Sequence, residues 1–205
     1  MKKIVEYSIN IGNYDPPRTD MISIQDIDLF RNNARNSRLP KILSHKYFDC
    51  DVSIYWDGHM RNIAGLTKKQ IVEKYLGDFD MAATKSPSIR EGCVYKEIEA
   101  ARNRINNEHE LQILKEQEKH YRKIGVPENI GSLAGYQPLI RRHNTRMIRF
   151  NEAWWAEMCR WSYRDQVSFP VVLAQHPDVK INWIELGTLA KKQYSHGKAV
   201  FPKYV

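Results

Sequence analysis

The spacing of apolar residues predicts short strands alternating with helices along most of the chain. Between the strands, apolar positions recur at helical spacing, which favours amphipathic helices. This alternation is typical of an α/β fold, and the length suits a single domain over residues 1–205. Strands are expected at Ile4 to Ile11, Met21 to Ile27, Val52 to Trp56, Phe79 to Ala83 and Tyr136 to Arg142.

The helical regions carry boundary signals of their own. Pro40 is expected to divide the region from Leu29 to Phe48 into two short helices, because proline does not fit a helix interior. Thr67 is a candidate cap for a helix that ends at Leu76. The longest helical stretch, residues 96–124, is expected to be one amphipathic helix lying on the sheet. A later helix is expected to turn three large side chains into the core: Trp154, Met158 and Trp161.

The composition gives the chain a net positive charge and excludes some classes of protein. The net charge of +8 indicates an anionic partner, such as a nucleotide diphosphate, a nucleic acid or an acidic glycan. No apolar run is long enough to span a membrane, and Glu6, Asn10 and Asn13 interrupt the stretch that a signal peptide would need. We expect a soluble, cytoplasmic protein. The 3 cysteines are widely spaced and give no disulfide framework.

The strongest chemical signal follows the predicted strand Val52 to Trp56, which runs directly into Asp57-Gly58. In open α/β sheets, ligands bind at the carboxyl ends of the strands. A carboxylate there, with His59 two residues later, is suited to a divalent metal and its phosphate oxygens. The alternative is that Asp57-Gly58 forms a turn and nothing more.

Seven short segments occur in an order that resembles a known family. The similarity covers roughly residues 4–176. It points to the glycosyltransferase-like domain of unknown function found in plant mucilage-related glycosyltransferases and in many bacterial and phage proteins. The segments are Gly12 to Asp15, Arg35 with Lys41 to Phe48, Ser53 to Gly58, Arg90 with Cys93 to Glu97, Tyr121 with Gly125 to Pro127, Trp154 to Glu157, and Ser162 to Phe169.

The resemblance implies a GT-A-type fold, in which a Rossmann-like mixed sheet flanked by helices binds a nucleotide-sugar donor. Asp57 would stand where such enzymes place the first Asp of their DxD metal motif. This chain has Asp-Gly-His instead, so His59 would be the second ligand, which suits Mn²⁺ better than the oxygen-preferring Mg²⁺. The donor is expected to contact Tyr14, Asp15, Arg35, Lys41, Asp57, Gly58, Arg90 and Lys198.

The end of the chain resembles a late motif of some GT-A enzymes. In Ser195-His196-Gly197-Lys198, His196 would complete the metal site and Lys198 would neutralise phosphate. The segment 190–205 would then close over the site. A disordered basic tail is the alternative, since chain termini often fray.

Asp165 is the candidate catalytic carboxylate within Arg164-Asp165-Gln166. In an inverting transferase it would accept the proton of the attacking hydroxyl. In a retaining enzyme Asp165 or Gln166 would orient the acceptor or stabilise positive charge on the sugar. The alternative is a buried salt bridge, and the sequence leaves the stereochemistry open.

The densest positive cluster follows the last predicted strand and is expected to face the same cleft as Asp57. It consists of Arg141, Arg142, His143, Arg146 and Arg149. It would bind an anionic acceptor, either a glycan or DNA with hydroxymethylated bases as in phage base glycosyltransferases. The alternative function is a non-catalytic nucleic-acid-binding domain on a degenerate transferase fold. The expected acceptor contacts are Arg141, Arg142, His143, Arg146, Trp155, which is suited to stacking, and Arg164.

Overall fold

The computed structural model describes residues 2–13, 15, 18–85, 92–131 and 134–192, apart from the side chains of residues 134–137. The strands are β1 (Ile4–Ile9), β2 (Ile22–Ile24), β3 (Val52–Trp56), β4 (Met60–Asn62), β5 (Met81–Lys85), β6 (Ala134–Arg142), β7 (Ile181–Ile184) and β8 (Ala190–Lys192). The helices are α1 (Asn33–Ile42), α2 (Ser44–Tyr47), α3 (Lys68–Ile71), α4 (Val94–Arg102), α5 (Glu108–Lys123), α6 (Thr145–Arg160) and α7 (Asp165–Ala174). A π-helical turn, Val72–Leu76, continues α3.

Six strands form one mixed sheet in the order β2-β1-β3-β6-β5-β7, and β4 pairs with β8 in a separate two-stranded ribbon. β1 runs parallel to both β2 and β3, and β5 runs parallel to β7. β6 is antiparallel to its neighbours β3 and β5. The carboxyl ends of β1 and β3 therefore lie side by side at one edge of the sheet, and the predicted α/β fold with a Rossmann-like mixed sheet is confirmed.

Strand alternation divides the buried side chains between the two faces of the sheet. Tyr7 and Tyr55 pack with α1, α6 and α7 in one core. Ile54 and Trp56 pack on the opposite face with Ile71 of α3 and with the β4–β8 ribbon. None of the helices in the described part of the chain is both long and apolar enough to cross a membrane.

The long helix predicted over residues 96–124 is in fact two helices. Asn107 breaks it, because its side chain accepts a hydrogen bond from the Glu110 amide and so caps α5. Leu114 and Tyr121 of α5 are fully buried, but they pack against α4 and α7 rather than on the sheet. The prediction of one helix on the sheet was therefore wrong in both respects.

Three other local predictions have clear outcomes. Thr67 does cap α3, in a reciprocal capping box with Gln70. The break predicted at Pro40 falls instead at Leu43, and Pro40 lies inside α1. In α6, Trp154 and Met158 are in the core, whereas Trp161, just beyond the helix, is half-buried beside the His120 ring.

Arg141 is completely buried between the sheet and α1. Its guanidinium donates to the carbonyls of Lys41 and Ile42, to the Tyr7 hydroxyl (3.1 Å) and to Asn151 Oδ1 (3.2 Å). These bonds satisfy both Nη atoms, which offsets part of the cost of burying the charge, while the buried Nε has no hydrogen-bond partner among the described residues. Arg141 therefore joins β6 to β1, α1 and α6 inside the molecule and presents no surface to an acceptor.

The sheet register also corrects the expected position of the positive cluster. Ser53 pairs with Arg141 and Val52 pairs with Arg142, at the amino end of β3. Asp57 follows the carboxyl end of that strand, about 15 Å away at the usual rise per residue. Because β6 is antiparallel to β3, the prediction that this cluster faces the Asp57 cleft is wrong.

Replacement of Arg141 by alanine is expected to destabilise the fold by about 3 kcal/mol or more, because four acceptors lose a buried donor and a cavity remains. Chemical denaturation measures this change. Arg149→Ala is the matched control, since the exposed Arg149–Asp178 pair should contribute less than about 1 kcal/mol. Equal stabilities of the two variants would contradict the structural role of Arg141.

Candidate functional site

Asp57 lies where β3 leaves the core. Every residue of β3 is buried, and the chain then turns through Gly58 and His59, closed by a hydrogen bond from the Met60 amide to the Asp57 carbonyl (2.9 Å). Tyr55 and Asp57 are two residues apart on a strand and so share a face. The Tyr55 hydroxyl donates to Asp57 Oδ1 at 2.7 Å. Burial and the Asp57 charge raise the pKa of Tyr55, which keeps this hydroxyl a donor.

Gly58 brings the loop after β1 against the end of β3. A Cβ at Gly58 would lie 2.4 Å from Asp15 Oδ2, so only glycine permits this approach. Asp15 is itself held by Asn10, which donates to its carbonyl (2.5 Å) and accepts from its amide (2.9 Å). Three of the predicted donor contacts, Asp15, Asp57 and Gly58, are thereby brought together.

Asp165 is the first residue of α7 and is buried against α1. Lys41 Nζ lies 2.5 Å from its Oδ2, and Arg38 Nε lies 3.2 Å from its Oδ1. Burial alone would raise the pKa of Asp165, but Arg38 and Lys41 outweigh burial and hold that pKa well below its ordinary value. The carboxylate is therefore ionised throughout the physiological range and is a weak proton acceptor.

Arg38 pairs with Asp165 and lies within electrostatic range of Asp57. Burial lowers the pKa of Arg38, but the fields of Asp165, Tyr55 and Asp57 outweigh burial and leave it raised. Beside it, the Lys41 ammonium lies 5.3 Å from the centre of the Tyr55 ring. We call Arg38, Lys41, Tyr55, Asp57 and Asp165 the β3-end cluster.

The sequence prediction missed Arg38 and Tyr55 as members of this cluster. The spacing of each residue from a predicted site residue could nevertheless have indicated it. Arg38 precedes Lys41 by one helical turn, and Tyr55 precedes Asp57 by one strand repeat. Each therefore shares a face with a residue that was predicted to lie in the site.

Two other predicted cations are held by partners within the protein. Arg35 pairs with Glu110 (3.2 Å) and donates to the carbonyls of Met158 and Trp161, which ties α1 to α5 and α6. Arg164 lies 3.8 Å from the buried Glu97 and donates to Gln166 Oε1 (3.3 Å). Burial lowers the pKa of Arg164.

The remaining predicted acceptor residues lie away from the β3-end cluster or bond to protein groups. Arg142 donates to the carbonyls of Gly77 and Phe79, and Arg146 pairs with Asp80 at 2.7 Å. Trp155 is half-buried on α6, with its ring centre 5.9 Å from that of Phe30. The other predicted residues Tyr14, Arg90, His196 and Lys198 lie outside the described residues.

His143 lies at the amino end of β3 among polar side chains. Its Nε2 is 3.0 Å from Ser53 Oγ and 3.3 Å from Ser44 Oγ, and its Nδ1 is 3.6 Å from Cys50 Sγ. Burial, together with the charges of Arg141 and His45, lowers the pKa of His143 to about 4. The ring is therefore neutral at neutral pH.

The metal prediction can be compared with the side chains that surround Asp57. Within the described ranges, no group of three or more His, Cys, Asp or Glu side chains is placed to hold a metal ion. Asp57 and the buried His59 are on one turn, but His196, the third expected ligand, is beyond these ranges. These side chains do not fit a metal by themselves, so we derive no chemical step through one.

Comparison with known proteins gives one match. The family model described as "TOD1/MUCI70, glycosyltransferase-like domain" matches residues 19–188, a range that contains the whole β3-end cluster. No curated protein and no solved structure matches the chain.

The low pKa of His143 predicts a loss of stability in mild acid. Below about pH 6.5 the unfolded chain binds a proton at this residue, whereas the folded chain does not until about pH 4. The free energy of unfolding should therefore fall as the pH drops through this window. Denaturant midpoints between pH 7 and pH 4.5 measure the slope.

His143→Gln should reduce that slope, and His109→Gln, at an exposed position on α5, should leave it unchanged. The neighbouring His45 also has a lowered pKa and supplies the residual slope in the His143 variant. An identical slope in the wild type and in His143→Gln would contradict the burial of a neutral ring.

Proposed function

The chain belongs to the TOD1/MUCI70 glycosyltransferase-like family, and from this premise we propose that it transfers a sugar from a nucleotide-sugar donor to a hydroxyl acceptor. The observation that supports this function best is the β3-end cluster, which gathers two carboxylates and two cations where β3 ends. Ligands of open α/β sheets bind at this edge.

Sugar transfer separates charge, and the proposed site offers groups of both signs. As the bond from the anomeric carbon to the donor diphosphate breaks, negative charge gathers on the diphosphate and positive charge on the sugar. Arg38 is the partly exposed cation of the cluster, with 21% of its side chain accessible. We assign it to the diphosphate. Asp57 and Asp15 are assigned to donor hydroxyl groups, which would donate to their carboxylates.

Asp165 is assigned a charge-stabilising role rather than the role of a base. The ion pairs with Lys41 and Arg38 keep it ionised, so it is poorly suited to take a proton from the attacking hydroxyl. A fixed negative charge is suited to stabilising positive charge on the transferred sugar. Of the two roles predicted for Asp165, this is the one expected in a retaining enzyme. Gln166, the next residue, is assigned to the acceptor.

A glycan is the acceptor we propose, in preference to DNA. Several basic groups near the end of β6 are neutralised by Asp80 and Asp178 or are bound to backbone carbonyls. A nucleic-acid surface needs cations that can exchange small counterions for phosphates. This pairing weakens both the DNA-acceptor hypothesis and the hypothesis of a non-catalytic nucleic-acid-binding domain.

Asp57→Asn is expected to lower sugar transfer by about 100-fold or more, which is typical of losing one group that stabilises charge or orientation in a transition state. The measurement is hydrolysis and transfer with a panel of nucleotide sugars and glycan acceptors, with and without Mn²⁺. The assays with Mn²⁺ also test Asp57, His59 and His196 as metal ligands. If Mn²⁺ stimulates the wild type through these residues, the stimulation should be lost in Asp57→Asn. Asp178→Asn, which removes an exposed carboxylate elsewhere, should retain full activity.

Failure to bind or hydrolyse any donor, in a wild-type sample shown to be folded, would contradict the proposed function. Full activity of Asp57→Asn would contradict the assigned site. If changes at Arg142 and Arg146 abolished function while Asp57→Asn did not, the non-catalytic nucleic-acid hypothesis would be correct instead.

A further inference from the structure

The β4–β8 ribbon carries an electrostatic cost that its own structure does not offset. Arg61 of β4 and Lys191 of β8 are directly opposite each other in the antiparallel pair. Residues so placed project from the same face of a ribbon, and like charges in these positions are destabilising. Lys191 is exposed and Arg61 is half-buried. The pairing therefore places two cations on one face of the ribbon, where like charges are unfavourable.

The ribbon is fixed firmly enough to keep these charges in place. Its inner side is anchored by Met60, Leu189 and Ala190, which are buried in the core that contains Trp56. The Ile63 amide also donates to the Leu189 carbonyl at 3.0 Å. The backbone positions of Arg61 and Lys191 cannot separate without disturbing this core.

Arg61 folds over the turn that follows β3. Its Nη1 donates to the carbonyls of Gly58 (2.8 Å) and Met60 (2.9 Å). Buried Arg18 also donates to the Met60 carbonyl, at 2.7 Å. The guanidinium groups of Arg18 and Arg61 therefore bond to carbonyls of the turn that carries Asp57.

Asp20 is an acidic side chain near Arg61, and it is already bonded to another cation. Asp20 is close enough for Arg61 to help lower its pKa, after the larger effect of its hydrogen bonds from Arg18. Arg18 already engages both oxygens of Asp20. Arg61 itself bonds to neutral carbonyls, so its positive charge, together with that of Lys191, is suited to a compact dianion.

We propose that the ribbon binds the diphosphate of a nucleoside diphosphate, with Arg61 and Lys191 contacting its phosphate oxygens. This inference rests on the proposed function, because the donor of that reaction carries such a group. Arg61 contributes a planar fork of N–H donors and Lys191 a point charge, and both are established phosphate ligands. The ribbon packs on the face of the sheet opposite to α1, so Arg61 would reach the leaving group over the Gly58 turn, while Arg38 would reach it from α1.

Calorimetric titration of the full chain with inorganic pyrophosphate, and separately with UDP and GDP, tests this site. Lys191→Gln should weaken pyrophosphate binding about tenfold, and Arg61→Gln at least as much. Arg61→Lys should restore part of the affinity. Lys69→Gln, which removes a lysine with 73% exposure on α3, is the control and should bind like the wild type.

Thermal unfolding separates a binding role from a structural one. Lys191→Gln relieves the repulsion with Arg61 and should leave the melting temperature unchanged or raise it, while its affinity falls. A lysine that stabilises the fold would instead lower the melting temperature on removal.

Several results would overturn the ribbon site. These are no pyrophosphate binding by the wild type, equal affinity of the wild type and both ribbon variants, an equal loss in Lys69→Gln, or ribbon-dependent binding of duplex DNA without binding of pyrophosphate. Failure of the proposed function gives a different pattern. Pyrophosphate would then bind in a ribbon-dependent manner while no nucleotide sugar is bound or hydrolysed, and the ribbon would stand as an anion site of another reaction.

Discussion

The site depends on the neutralisation of one buried carboxylate. Asp165 begins α7 with almost no exposure to solvent, and an isolated charge there would cost several kcal/mol. Lys41 and Arg38 remove that cost, and both come from α1. The ion pairs therefore fix where α1 lies relative to α7, and α1 in turn covers the end of β3. Without them, Arg38 would not be held near both Asp165 and Asp57.

The charged groups are arranged differently at the two edges of the sheet. At the carboxyl end of β3, carboxylates and cations lie near one another around Asp57, Asp15 and the β3-end cluster. At the amino end, the cations are paired or internal, and His143 is kept neutral. Among the described residues, carboxylates and cations thus lie together at the carboxyl edge, which is where the proposed sugar transfer would need them.

Features that depend on local sequence were predictable. The strand that ends at Asp57, the cap at Thr67 and the glycine at position 58 follow from residue type and spacing, and all three occur in the structure. The carboxylate at the sheet edge was predictable for the same reason, because apolar alternation locates a strand and its last residue.

Features set by strand pairing could not be predicted in this way. The sequence around Arg141 does not reveal that β6 runs antiparallel between β3 and β5. That direction alone places the arginine cluster at the edge of the sheet opposite to Asp57. Likewise, the cross-strand pairing of Arg61 and Lys191 joins residues far apart in the chain. A count of charged residues does not reveal that Arg141 is buried, because its partners are mainly backbone carbonyls and hydroxyl or amide groups.

A crystal structure with a bound nucleoside diphosphate would show whether ligand binds where β1 and β3 end. We expect phosphate oxygens within hydrogen-bonding distance of Arg38 or Arg61, beside the Asp57 turn. Phosphates bound instead at the amino end of β3, near Arg142 and Arg146, with Asp57 still bonded to Tyr55 and facing no ligand, would contradict this expectation.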